Sequence, residues 1–159
     1  MTEDARFEDG QDKPLNLGAM DVDDLQVISA LAQDGVFTIG DMRWMPKERR
    51  FAILINRLRR EGVDAAKRAG RPPERVRSLL VVDHVLGMAS QGVDRSDSDT
   101  VMAVLSVNFT PGTDADGQVE FVLAGDGALR ANVEALEVSL RDVTRPYKAV
   151  SGHVPDHSE

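Results

Sequence analysis

The sequence predicts an α+β fold: a predominantly antiparallel β meander of about seven strands with an N-terminal helix and a C-terminal helix. Three observations predict it. Apolar and polar residues alternate in short runs, as from Val101 to Thr110 and from Gln118 to Leu123, the period of a strand with one buried face. Turn residues rather than helices join successive runs, and parallel pairing would need crossover helices. Apolar residues at helical spacing occur near the two ends only, and no repeat of 20–50 residues is visible. Seven meandering strands and one closing helix match the element count of a pleckstrin-homology-like barrel. The alternative is an open, curved sheet with both helices on one face.

Each element has its own signal. A short strand is expected at 15–19. Over residues 21–33, Leu25, Ile28, Leu31 and Ala32 share one helical face, and Asp21, Asp23 and Asp24 crowd the start, where carboxylates cap free N–H groups. From Val36 the residues become β-branched and aromatic, giving two strands around a turn at Pro46, with Trp44 and Phe51 flanking it. Residues 75–82 and 84–91 read as one kinked strand or two short ones, with Asp83 and His84 at the change. In the run at 100–110, Val101, Ala103, Leu105, Val107 and Phe109 are expected on the core face. Gly125, Asp126 and Gly127 predict a tight hairpin turn whose two central residues take positive φ. Val133, Leu136, Leu140 and Val143 predict the terminal helix.

Length and composition bound the rest. The chain has 159 residues, which implies one domain on the usual range of roughly 100–150. That domain is expected at 14–144, with a disordered acidic extension at 1–13 and an irregular tail at 145–159. With no Cys among its residues, the chain cannot use disulfides, thiolate metal ligands, iron–sulfur clusters or a thiol nucleophile. Neither a signal peptide nor a run of about 20 apolar residues is visible, so no membrane association is expected and the cytoplasm is the default compartment.

Net charge is −8, but it is not evenly spread. Residues 1–42 carry −8, residues 43–77 carry +8 and residues 78–159 carry −8. The middle segment holds twelve basic residues, and Lys47, Arg49, Arg50, Arg57, Arg75 and Arg77 are the candidate binding residues within it. Gathered on one face, such side chains would attract an acidic protein or a small anionic ligand, since an Arg fork matches carboxylate or phosphate. The plainer reading pairs them with the protein's own acidic segments or leaves them solvated.

Other chemistry is weaker. Asp114 to Phe121 resembles the middle of a calcium loop, but Gly112 and Leu123 fall where the first and last ligands belong, so a hairpin loop is expected. The carboxylates of residues 94–99 lack a turn Gly and a closing Glu. His153 and His157 stand four apart, and Gly152 and Pro155 argue against the helix that would bring them together. His84 beside Asp83 suggests an acid–base pair, yet strand neighbours point to opposite faces, so catalysis there would need another carboxylate supplied by the fold. No nucleophile elbow or phosphate loop is present. No catalytic residue, metal or cofactor is assigned.

Several strings are distinctive. They are DVDDLQVISALAQD from Asp21, GDMRWMPKERRFAILINR from Gly40, RSLL at 77–80 followed by HVL at 84–86, and AGDGALRANVE from Ala124. Over roughly residues 15–143 the chain resembles an alphaproteobacterial family, domain of unknown function 2948. The resemblance implies a bacterial origin and a single domain, and it implies no reaction, cofactor or catalytic residue.

The resulting expectation is a non-enzymatic binding or adaptor domain that uses the basic hairpin to hold an acidic protein or phosphorylated ligand. One alternative is a homodimer assembled from complementary basic and acidic faces; another is a small enzyme using Asp83 and His84. Nucleic acid ranks last as a partner, because flanking acidic segments would repel its backbone.

Overall fold

The computed structural model describes residues 13–62, 67–70, 73–145 and 147–148. Among them the chain forms one helix, two short 3₁₀ turns and eleven strands: β1 (Asn16–Ala19), α1 (Val22–Ala32), β2 (Val36–Thr38), β3 (Met42–Met45), β4 (Arg50–Leu58), β5 (Glu74–Val82), β6 (Val85–Gln91), β7 (Val101–Pro111), β8 (Gly117–Leu123), β9 (Ala128–Val133), β10 (Val138–Asp142) and β11 (Tyr147–Lys148). The strands follow the order β1-β10-β5-β4-β2-β7-β8-β9-β6, with β3 on β4 and β11 on β5. All described pairings are antiparallel.

This corrects the expected fold in two respects: there are more strands than seven, and residues 133–143 form no helix. Val133 ends β9, and Val138 and Leu140 are buried in β10, inserted between β1 and β5. Two period-2 runs separated by a four-residue turn reproduce helical spacing by coincidence. With no closing helix among the described residues, the element count behind a pleckstrin-homology-like barrel no longer holds. Residues 1–12 and most of 145–159 lie outside the described residues, as do His153 and His157, although β11 pairs within the segment read as a tail.

The helix is as expected. Asp21 caps it by accepting a hydrogen bond from the Asp24 N–H at 2.8 Å, and Leu25, Ile28 and Ala32 are buried against the sheet. The hairpin between β8 and β9 also turns as expected, although the pair with positive φ is Gly125 (82°) and Asp126 (71°), one residue ahead of the Asp-Gly pair.

β7 departs from simple alternation. A bulge between Val104 and Ser106 shifts its register, so Val104 and Val107 both face the core, while Val101 is 67% exposed. An extra residue in one strand flips every side chain beyond it to the other face. The bulge falls where β7 passes from pairing with β2 to pairing with β8.

Two further features position the surfaces that matter. β5 and β6 are separated by Asp83 and His84, and His84 takes φ 61° at this corner. Backbone hydrogen bonds clamp the corner: Asp83 N–H to Glu137 C=O, Val85 N–H to Arg49 C=O, and Glu134 N–H to His84 C=O. β6 pairs with β9 and β3 with β4; these two strands do not pair with each other, yet residues of both line one cleft.

Candidate functional site

Side-chain parity decides where the basic residues go. Along β4, Phe51, Ile53 and Ile55 point into the core, which turns Arg50, Ala52, Leu54 and Asn56 outward. In β5, Val76, Leu80 and Val82 point inward and Arg77, Leu79 and Val81 outward.

The registers then build the outer face row by row. Ser139, Val81, Ala52 and Arg43 lie side by side across β10, β5, β4 and β3. In the next row Arg141 adjoins Leu79, which adjoins Leu54. Arg77 adjoins Asn56, and at the other end Arg50 adjoins Met45. Neighbouring strands are roughly 4.8 Å apart, so the face has a half-buried apolar centre of Leu54, Leu79 and Val81 with Arg43, Arg50, Arg77 and Arg141 around it. Two shallow depressions of about 180 and 400 Å³ lie on it and meet at the Leu54–Leu79 pair.

Of the six candidate residues, three share this face. Arg77 is exposed and makes no ion pair with a described residue, and the same holds for Arg43 and Arg141. Arg50 donates from Nε to Asp83 Oδ1 at 2.8 Å, and this hydrogen bond and the Asp83 charge raise its pKa. Arg75 donates from Nε to Asn56 Oδ1 at 2.7 Å and from Nη2 to the Asn56 carbonyl at 2.9 Å.

The other three lie elsewhere. Lys47 is exposed in the β3–β4 turn, and Arg49, with φ 52°, reaches Glu134 at 2.6 Å. Arg57 is turned inward and is 0% exposed. Its guanidinium donates to Ser78 Oγ at 2.8 Å, to both Glu61 oxygens at 3.0 and 2.9 Å, and to Asp142 Oδ1 at 2.9 Å. Burial pulls its pKa down, but Glu61 and then Asp142 outweigh that, so it ends above the ordinary value. Arg59 is also buried and pairs with Glu74 at 3.2 Å, and the partly exposed Arg60 pairs with Asp34 at 2.6 Å. The basic block thus divides into arginines that tie the protein to its own carboxylates and arginines that face outward.

Arg43 and Arg141 complete the face and were not among the candidates. Arg141 was hidden by the helical reading of its segment, although the alternation of Val138 and Leu140 with Ser139 and Arg141 is a strand signal.

The Asp83–His84 corner separates its two side chains. Asp83 goes to Arg50, while His84 Nε2 lies 2.7 Å from Glu137 Oε1, so the fold does supply His84 with a different carboxylate. This pair borders an open cleft of about 500 Å³ whose walls include Met20, Val22, Phe109 and Leu136. Asp114 and Asp116 lie in the β7–β8 loop, where Asp116 Oδ1 accepts the Asp114 N–H at 2.9 Å. No helix among the described residues is long and apolar enough to cross a membrane.

A family model described as Protein of unknown function (DUF2948) matches residues 15–157, extending through most of the segment read as a tail. No curated protein and no solved structure matches the chain.

Proposed function

The chain belongs to the DUF2948 family, and from its geometry we propose that it is a binding module that docks an acidic protein segment on the outer face of β10, β5, β4 and β3. One observation carries this reading: four arginines ring an apolar sheet surface, and three of them make no ion pair with a described residue. Leu54, Leu79 and Val81 would cover apolar side chains of the partner, while the guanidinium forks take its carboxylates. Among the described residues, Asp83, held by Arg50, and Asp41, which accepts hydrogen bonds from the Thr38 N–H and hydroxyl, are the carboxylates bordering the two depressions. The surface therefore keeps a positive balance although the whole chain carries −8.

The test is fluorescence anisotropy with a labelled peptide of alternating Glu and Leu. Binding is expected at low salt, weakening as salt rises, and lost in the double variant Arg77→Glu, Arg141→Glu. Equal binding by the double variant would sink the reading. Sedimentation of the peptide-free protein at low and high salt separates this partner from a second copy of the chain, which would appear as a dimer dissociated by salt.

A second reading, a small enzyme, draws on one observation, the His84–Glu137 pair beside the 500 Å³ cleft. A carboxylate at hydrogen-bond distance can orient an imidazole for proton transfer. A screen with activated esters checks this: any hydrolysis by the unmodified protein should be lost in both His84→Ala and Glu137→Gln, and equal turnover by Glu137→Gln speaks against the reading.

A further inference from the structure

The edges of β3 and β6, which pair with no further strand among the described residues, border a second, independent feature. Between them lies a cleft of about 240 Å³, walled by Met42 and Trp44 from β3, Met88 and Ser90 from β6, Leu129 from β9, and Arg95 from the β6–β7 loop. Leu129 and Phe51 close its floor and belong to the main core, while Trp44, Met42 and Met88 are only partly buried against that core. Their apolar surface is thus left partly open, in a concave site rather than on a flat face. Methionine beside tryptophan gives an adaptable, polarizable wall that suits an apolar guest of varied shape.

Arg95 supplies the polarity. It lines the cleft and makes no ion pair with any described residue, although carboxylates flank it in sequence. Those carboxylates are engaged nearby: Asp94 Oδ1 accepts from the Ser96 N–H and hydroxyl at 2.9 and 2.6 Å, and Asp97 Oδ1 from the Asp99 N–H at 3.0 Å. Among the described residues the cleft therefore has an apolar interior, one hydroxyl from Ser90 and one cation, Arg95.

We propose that this cleft binds a small amphipathic anion, a carboxylate with an apolar chain or ring, with Arg95 holding the carboxylate and Trp44, Met42, Met88 and Leu129 enclosing the apolar part. Its volume corresponds to roughly eight water molecules, which suits a chain of octanoate size rather than a long lipid. The proposal does not depend on the arginine face, since the two surfaces share neither cation nor lining residue.

Trp44 is the sole tryptophan, so its emission reports on the cleft directly. Titration with octanoate is expected to shift that emission and saturate, with octanol binding at least about tenfold more weakly because it cannot use the charge on Arg95. Arg95→Gln should weaken octanoate by about tenfold or more and leave octanol unchanged. Ser90→Phe, which fills the cleft opposite Leu129, should abolish the response to both. Should Ser90→Phe fail to fold, Arg95→Glu, a change at an exposed side chain, carries the test through the loss of octanoate binding alone. The proposal is overturned by a linear, unsaturable response, by octanol matching octanoate in the unmodified protein, or by unaltered octanoate affinity in the Arg95 variants.

Discussion

β4 and β5 carry arginine on both of their faces, and the two faces treat it in opposite ways. Arg57 on the inner face is fully buried and held by Ser78, Glu61 and Asp142, whereas Arg77, on the neighbouring strand but the outer face, is exposed without an ion pair to a described residue. Desolvating a guanidinium costs several kcal/mol, so the inner face accepts Arg57 only with its donors satisfied, in a geometry that leaves them unavailable to any ligand. Water already solvates the outer arginines, which remain able to exchange it for a partner's carboxylate. One step along β4, from Arg57 to Asn56, and one across to its neighbour Arg77 thus separate a structural lock from a recognition group.

The comparison can be broken or sharpened by measurement. Asp142→Ala leaves Arg57 buried with half of its carboxylate support removed, and it should destabilise the protein by about 3–5 kcal/mol in urea unfolding. A loss under about 1 kcal/mol would mean that Arg57 is not the lock described. Replacing the whole group together, as Arg57→Met with Asp142→Leu and Glu61→Gln, should recover much of that loss, because no charge is left without its partner. Next in size is Arg50→Ala, which removes an ion pair whose arginine is 48% exposed; the expected cost is about 0.2–1 kcal/mol. Smaller still is Arg77→Glu with Arg141→Glu, expected within about 0.5 kcal/mol of the unmodified protein while peptide binding is lost. A large stability change there would place these arginines in the structural class.

The smallest effect lies on the β6–β7 loop. Hydrogen bonds from the Ser96 hydroxyl and N–H hold the Asp94 carboxyl below its usual range, so an NMR titration midpoint below 3.8 is expected and Ser96→Ala should return it part of the way. A folded pKa below the unfolded one, about 3.9, stabilises the protein above that pH, and the contribution fades as pH falls through the folded value. For this fully exposed group the effect is local to the loop.

How far the sequence was legible depended on how many residues each signal spanned. The helix from Val22 was readable because Asp21 and its apolar stripe agree, and the Asp83–His84 change was readable because polar residues interrupt an apolar run. β7 misled because the bulge near Leu105 reverses parity midway, and a one-residue insertion leaves no mark in composition. The helical spacing of Val133, Leu136 and Leu140 was real but belonged to two strands and the turn between them. Linear proximity grouped Arg57 with Arg50, Arg75 and Arg77, but it could not show that Arg57 points to the opposite face from those three. Only parity against Phe51, Ile53 and Ile55 shows that.

β1 pairs with β10, and the Leu15 N–H donates to an Asp142 oxygen 127 residues further along. During synthesis the first strand must therefore wait for nearly the whole domain to emerge before its edge is covered, and sheets rich in such distant pairings fold slowly. Arg57 waits too, since Asp142 follows 85 residues later. Glu61, only four residues on, can shield it in the interval, serving as a placeholder carboxylate for a nascent chain before it becomes one of two in the finished fold.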